Sequence, residues 1–141
     1  MDEYQLALEE SPAPEDVERV RAGLHRYNLA QTGADDARPL TIFLRDEAGQ
    51  IVGGLTGMTF WGWLAIDRLW IHEDARGRGY GARMVRLAEE EALSRGCRNV
   101  LLDTMSFQAP EFYRKLGYEE FGVLAGFAGP HARHYFRKSL D

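Results

Sequence analysis

Apolar residues recur along the chain in more than one rhythm, and the changes of rhythm divide it into elements. Tyr4, Leu6 and Leu8 alternate weakly with Gln5, Ala7 and Glu9 and stop at Ser11-Pro12-Ala13-Pro14, which predicts a short strand over Tyr4–Glu9 and then a break. The period then lengthens. Val17, Val20, Leu24, Tyr27 and Leu29 recur at helical spacing, with Glu15 and Asp16 at the positive end, so a helix is expected from Pro14 to about Gln31. Residues 32–39 read as loop. Leu40–Arg45 and Ile51–Met58 read as strands joined by the turn Asp46-Glu47-Ala48-Gly49-Gln50, and Leu64–Ile71 follows Trp61-Gly62-Trp63 to complete an antiparallel meander. Met84, Leu87, Ala88 and Ala92 then mark one face of a helix from about Gly79 to Arg95, stopped by Gly96. The short apolar run Val100–Leu102 is expected as an interior strand, and the crossover helix before it implies parallel pairing. A short helix over Pro110–Leu116 and strands over Tyr118–Leu124 and Arg133–Lys138 complete the order. That order predicts an α+β fold with a mixed sheet.

Composition narrows the picture. The chain has 141 residues and shows no repeat or linker, so residues 1–141 are expected to form one domain. Cys97 is the only cysteine, which excludes an intramolecular disulfide and is in keeping with a cytoplasmic protein. Seventeen basic against 22 acidic residues give a net charge of -5, which argues against a general nucleic-acid or anionic-membrane partner and favours a small cationic one. The start, Met1-Asp2-Glu3-Tyr4, lacks the basic and apolar regions of a signal peptide, and no stretch approaches about 20 apolar residues. Asp35 and Asp36 in the loop would receive a cation or face water.

The sharpest local signal is Arg76-Gly77-Arg78-Gly79-Tyr80-Gly81-Ala82, between a strand and a helix start. Closely spaced glycines let backbone N–H groups converge on an anion, the helix N-terminus adds partial positive charge, and Arg76, Arg78 and Arg83 add formal charges. A phosphate or pyrophosphate suits such a loop. No Gly-Lys-Ser or Gly-Lys-Thr follows, so a Walker loop is excluded. Gly77-x-Gly79-x-x-Ala82 also satisfies a loose dinucleotide pattern, with Asp103 near the place of a ribose-binding acid. Against it, His72-Glu73-Asp74-Ala75-Arg76 separates strand from glycines, a meander precedes the loop, and little chain follows.

This loop resembles the pyrophosphate loop of the GNAT superfamily of acetyl-CoA-dependent N-acyltransferases, Gln/Arg-x-x-Gly-x-Gly/Ala after the fourth strand. Phe112-Tyr113-Arg114-Lys115-Leu116-Gly117-Tyr118 resembles a second block of that family. The predicted element order matches as well, so the resemblance spans nearly the whole chain. It implies the GNAT fold, a mixed central sheet of six to seven strands flanked by helices in three α/β/α layers, with acetyl-CoA as cosubstrate and a homodimer as a plausible state. It also implies that Tyr113 is the general acid, that the backbone of Leu69, Trp70 and Ile71 pairs with pantetheine, and that Arg76–Ala82 hold the pyrophosphate. Where many members carry Asn at the end of the fifth strand, this chain has Ser106, whose hydroxyl is expected to bond pantetheine instead. The run Leu102–Tyr113 looks like a bacterial subgroup of mostly unassigned acceptor.

Acetyl transfer to an amine needs a neutral amine, a polarised carbonyl and a proton for the departing thiolate. Tyrosine, with a reference pKa of about 10, is protonated at neutral pH and can supply that proton. For the base, strand alternation places Ala65, Asp67, Leu69 and Ile71 on one face, where an acid among apolar neighbours would have a raised pKa if buried. Asp67 is therefore the candidate base, with ordered water as the alternative. The family carboxylate aligns with Ala65, one same-face step away. An ion pair between Asp67 and Arg68 is not expected, because adjacent strand residues point apart. His131 and His134 lie three apart in a strand with no further ligand nearby, so no metal site is read. Phe60, Trp61 and Trp63 suit either an acceptor pocket or packing, and Cys97 reads as core.

The expected activity is direct acetyl transfer from acetyl-CoA to a primary amine of a small cationic molecule, with no nucleic acid and no membrane involved. The alternatives from other classes are a CoA-binding regulatory module with little catalysis and a small dinucleotide-binding domain.

Overall fold

The computed structural model describes residues 3–141. The chain divides into two compact units, the first ending at Asp35 and the second beginning at Asp36. The first contains one helix, α1 (Pro14–Thr32), with proline in its first turn and Gly33 at its end in the left-handed region, φ +68°, where its N–H donates to Leu29 O. No residue of α1 is buried. The strand expected over Tyr4–Glu9 is not formed. An extended segment becomes a strand only when its N–H and C=O groups find a ladder, and Tyr4, Leu6 and Leu8 stay exposed.

The second unit contains β1 (Arg38–Arg45), β2 (Ile51–Phe60), β3 (Trp63–Ile71), α2 (Tyr80–Ser94), β4 (Asn99–Met105), α3 (Pro110–Lys115), β5 (Glu119–Phe127) and β6 (His131–Ser139). Its six strands form one mixed sheet in the order β1-β2-β3-β4-β6-β5. With α1 the described residues give six strands and three helices, the expected α+β class. The meander β1-β2-β3 is antiparallel, and β3 and β4 run parallel across the α2 crossover, as the pattern predicts. The mostly antiparallel sheet excludes the doubly wound dinucleotide fold.

Both helices of this unit pack on one face of the sheet. Leu40, Leu55, Leu64, Val100, Leu102 and Phe136 meet Met84, Val85, Ala88 and Ala92 of α2 and Tyr113 of α3 there. A partly buried polar clamp ties α2 to the C-terminal strands: Lys138 Nζ donates to Glu89 Oε2 at 3.0 Å and to Leu116 O at 2.8 Å, and Tyr118 donates to the same carboxylate at 2.7 Å. Burial, followed by that bond, pushes the Tyr118 phenol well above the ordinary tyrosine range.

The detail that shapes the site is a bulge. Thr56 pairs with Arg68 but Gly57 pairs with Ile66, so Asp67 is an extra residue on β3. Gly57 allows the close approach: a Cβ there would sit 2.5 Å from Ala65 O. Gly57→Ala is therefore expected to cost about 1–3 kcal/mol by forcing β2 and β3 apart. Urea unfolding measures this, and an unchanged midpoint would show that the strands part without penalty.

Candidate functional site

The bulge changes which residues share a face. Leu64 and Ile66 point into the core, and beyond Asp67 the inward positions become Leu69 and Ile71, while Asp67, Arg68 and Trp70 are exposed. The expectation that Ala65, Asp67, Leu69 and Ile71 share one face is thus corrected. An extra residue breaks the period of two, and a bulge turns two consecutive side chains to the same side. Asp67 and Arg68 consequently meet at 2.9 Å, the pairing that simple alternation argues against. The Asp67 side chain is 63% exposed and so does not stand among apolar neighbours. Trp70 points away from Leu69 and Ile71, as expected, and stands edge-on to His72.

After the bulge β3 also parts from β4. The parallel ladder covers only Trp63–Ile66 against Asn99–Leu102, which leaves the β4-facing edge of Asp67–Ile71 without a strand partner. A cavity of about 410 Å³ occupies this splay, lined by Asp67, Leu69 and Trp70 from β3, Asp103 and Thr104 from β4, and Gln108 and Tyr113 beyond it. The Gln108 carboxamide holds the end of β4 by accepting from Met105 N–H at 2.8 Å. Proline and Glu111 open α3, which carries Tyr113 into the cavity wall. The Tyr113 ring packs edge-on to Phe112 and Tyr118, with ring centroids 5.0 and 5.8 Å away. Burial, followed by the charge of Asp103, pushes its phenol up to about 12, so it is a proton donor at neutral pH.

The glycine loop follows β3 through a single 3-10 turn, Glu73–Ala75. Gly77 and Gly79 adopt φ +74° and +81°, and a Cβ on either would meet only open space. Gly79 caps α2, whose first helical bond runs from Arg83 N–H to Gly79 O, so the N–H groups of Tyr80, Gly81 and Ala82 have no intrahelical acceptor. Gly81 has another reason: a Cβ there would lie 3.1 Å from the Phe112 ring. Arg76 ties the loop to the end of β3 by donating from Nε to Ile71 O at 2.8 Å. Arg83 lies over the Tyr80 ring.

Other candidates fall elsewhere. Ser106 does not line the cavity; its hydroxyl accepts from Ala132 N–H at 3.0 Å, which stitches the end of β4 to β6. His131 stacks edge-on with Phe107, whereas His134 meets Glu120 at 2.9 Å, so the two histidines serve different contacts. Asp35 pairs with His25, and Asp36 accepts from Trp61 N–H at 3.1 Å and does not line the cavity. Phe60, Trp61 and Trp63 stand at the β2–β3 hairpin, outside the lining. Cys97 is buried, and burial pushes its thiol up, which disfavours a nucleophilic thiolate. Sequence reasoning passed over Thr104 and Gln108, and weighed Asp103 only for a ribose; polar residues near a strand end give no signal until the strands are seen to part.

The acetyltransferase (GNAT) family model matches residues 2–118. The chain belongs to the GNAT acetyltransferase family. A blasticidin-S acetyltransferase of Streptomyces morookaense is 40% identical over 116 residues, covering 79% of this chain and 85% of that one. The crystal structure of an acetyltransferase from Agrobacterium tumefaciens superposes with a TM-score of 0.90 at 32% identity, over 96% of this chain and 99% of that one. A streptothricin acetyltransferase of Bacillus anthracis, crystallised with acetyl coenzyme A, shares the fold at 20% identity with a TM-score of 0.65, over 73% of this chain and 63% of that one. This GNAT chain is an acyltransferase. No helix among the described residues is long and apolar enough to cross a membrane.

Proposed function

We propose that this GNAT protein, as a single functional domain over residues 1–141, moves an acetyl group from acetyl-CoA to a primary amine of a small cationic acceptor. The observation that carries this is the one cavity that gathers Tyr113, Asp67 and the unpaired edge of β3 where β3 and β4 separate. The residues present suit acetyl-CoA. Open space before Gly77 and Gly79, with Arg78 beside them and the N-terminus of α2 behind, suits a pyrophosphate, and the free edge of Leu69–Ile71 suits an extended amide-bearing arm. The thioester supplies an activated acetyl group.

Around it the chain moves protons. As the C–N bond forms and the C–S bond breaks, Tyr113 gives its phenolic proton to the departing sulfur, and the amine proton leaves towards Asp67 through water. Main-chain N–H groups of the open β3 edge polarise the carbonyl. The named antibiotic acceptors of the relatives support a small cationic molecule, as do two carboxylates in the cavity wall and the net charge of -5.

The test is calorimetric titration with acetyl-CoA, CoA and NAD, then turnover of blasticidin S, spermidine and kanamycin followed by release of free thiol. Saturable acetyl-CoA binding with NAD silent, and thiol release with at least one amine, are expected. Folded protein that binds no acetyl-CoA would sink the proposal.

A further inference from the structure

We infer that Asp103 is the acceptor anchor: from the sheet face opposite α2 and α3, held in place by Arg133, its carboxylate receives a cationic group of the acceptor at the gap between β3 and β4. The inference rests on the acyltransferase reading and adds to it the residue that selects the acceptor.

The strand pattern sets the side from which Asp103 acts. On β4, Leu102 and Thr104 are buried on the helix-covered face, so Asp103 between them projects to the other face. Yet Asp103 and Tyr113 line the same cavity, and the charge of the one acts on the phenol of the other. The opening between β3 and β4 therefore connects the two faces. Tyr113 stands on the side of α2 and α3, and Asp103 faces the opening from the other side of the sheet.

Local contacts prepare Asp103 for that role. Arg133 Nε donates to Asp103 Oδ1 at 2.8 Å, and the Arg133 guanidinium lies against the rings of Tyr135 and Phe127, 5.4 and 6.0 Å from their centroids. The aromatic contacts fix the arginine, and the arginine fixes the carboxylate. This bond uses one of roughly four acceptor positions a carboxylate offers, so an ammonium or guanidinium can bond to the rest. At 38% exposure for each side chain, the pair adds little to folding stability, which makes a role in geometry the better reason for it. Asp67, the other carboxylate in the wall, is more exposed, and its partner Arg68 is itself 80% exposed and, among the described residues, lacks the aromatic contacts that hold Arg133.

The experiment is calorimetry on CoA-saturated protein, titrated with blasticidin S, spermidine and kanamycin. At least one cation is expected to bind to the parent. Asp103→Asn should weaken that binding at least tenfold, Asp103→Glu should restore it to within about threefold, and CoA affinity should be equal in all three proteins, which also reports correct folding. Added salt should weaken binding to the parent more than to the Asn variant. Failure of every cation to bind to the CoA-loaded parent overturns the inference, as does an Asp103→Asn protein that binds the cation like the parent. A protein that does not take up CoA refutes instead the acyltransferase reading beneath it.

Discussion

Tyr113→Phe is expected to lower kcat on the order of a hundred- to ten-thousand-fold while leaving acetyl-CoA affinity and the unfolding midpoint nearly unchanged. The ring is held by Phe112, Tyr118 and Phe136, and phenylalanine keeps every one of those contacts. Only the hydroxyl is lost. No bond from it to a described residue has to be broken, so the loss falls on the step that uses its proton. The pH dependence has a definite sign. Burial first, and the Asp103 charge second, raise the phenol to about 12, so Tyr113 is overwhelmingly protonated through pH 10 and titrates around that higher value. The kcat profile of the parent should therefore show no basic limb from this group between pH 7 and 10. Steady-state kinetics of the two proteins across that range provide the check. A Phe variant within threefold of the parent would remove Tyr113 from the chemistry and leave solvent as the acid.

What the sequence disclosed, and what it hid, divides along one physical line. Where side chains repeat over many residues, the period speaks clearly. The meander and the parallel β3–β4 pairing are readable in advance, as is the α2 face at Met84, Ala88 and Ala92, whereas Leu87, expected on that face, is exposed and Val85 takes the inward place. Glycines at fixed spacing before a helix were equally plain, because positive φ at Gly77 and Gly79 leaves few other residue types. The bulge at Asp67 was hidden, since one inserted residue alters neither composition nor the apolar run; it only reverses the parity of every later position in the strand. A faint trace existed: Gly57, a glycine deep in a strand, often marks a close backbone approach. Missing the bulge put Asp67 in the core instead of beside Arg68. Tyr4–Glu9 failed for the opposite reason, because alternation states a preference but cannot supply the neighbour a strand needs. Ser106 sits at a strand end, where its hydroxyl accepts from the nearby Ala132 N–H, a contact that the sequence pattern does not announce.

The loop offers the second large effect. Gly79→Glu should abolish measurable acetyl-CoA binding, a loss of at least a hundredfold in affinity, while the protein still folds. Two costs combine. The residue sits at φ +81°, where any Cβ adds strain of about 1–3 kcal/mol. The new carboxylate would also project into the open space before the α2 N-terminus, where the proposed ligand brings negative charge. At a separation of about 4 Å and an effective dielectric near 20, two like charges repel by about 4 kcal/mol, enough to outweigh the strain. Folding is spared part of the penalty, because a negative charge at a helix N-terminus is itself favourable. Two companions separate the terms: Gly79→Ala carries strain alone, and Arg78→Glu carries charge alone. Calorimetry should rank affinity as parent, then Gly79→Ala, then Arg78→Glu, with Gly79→Glu last, and added salt should narrow the gap for the two charged variants only. Binding by Gly79→Glu at the level of Gly79→Ala would show that no phosphate group approaches this loop, and would move the anchor of the cosubstrate elsewhere along the β3 edge.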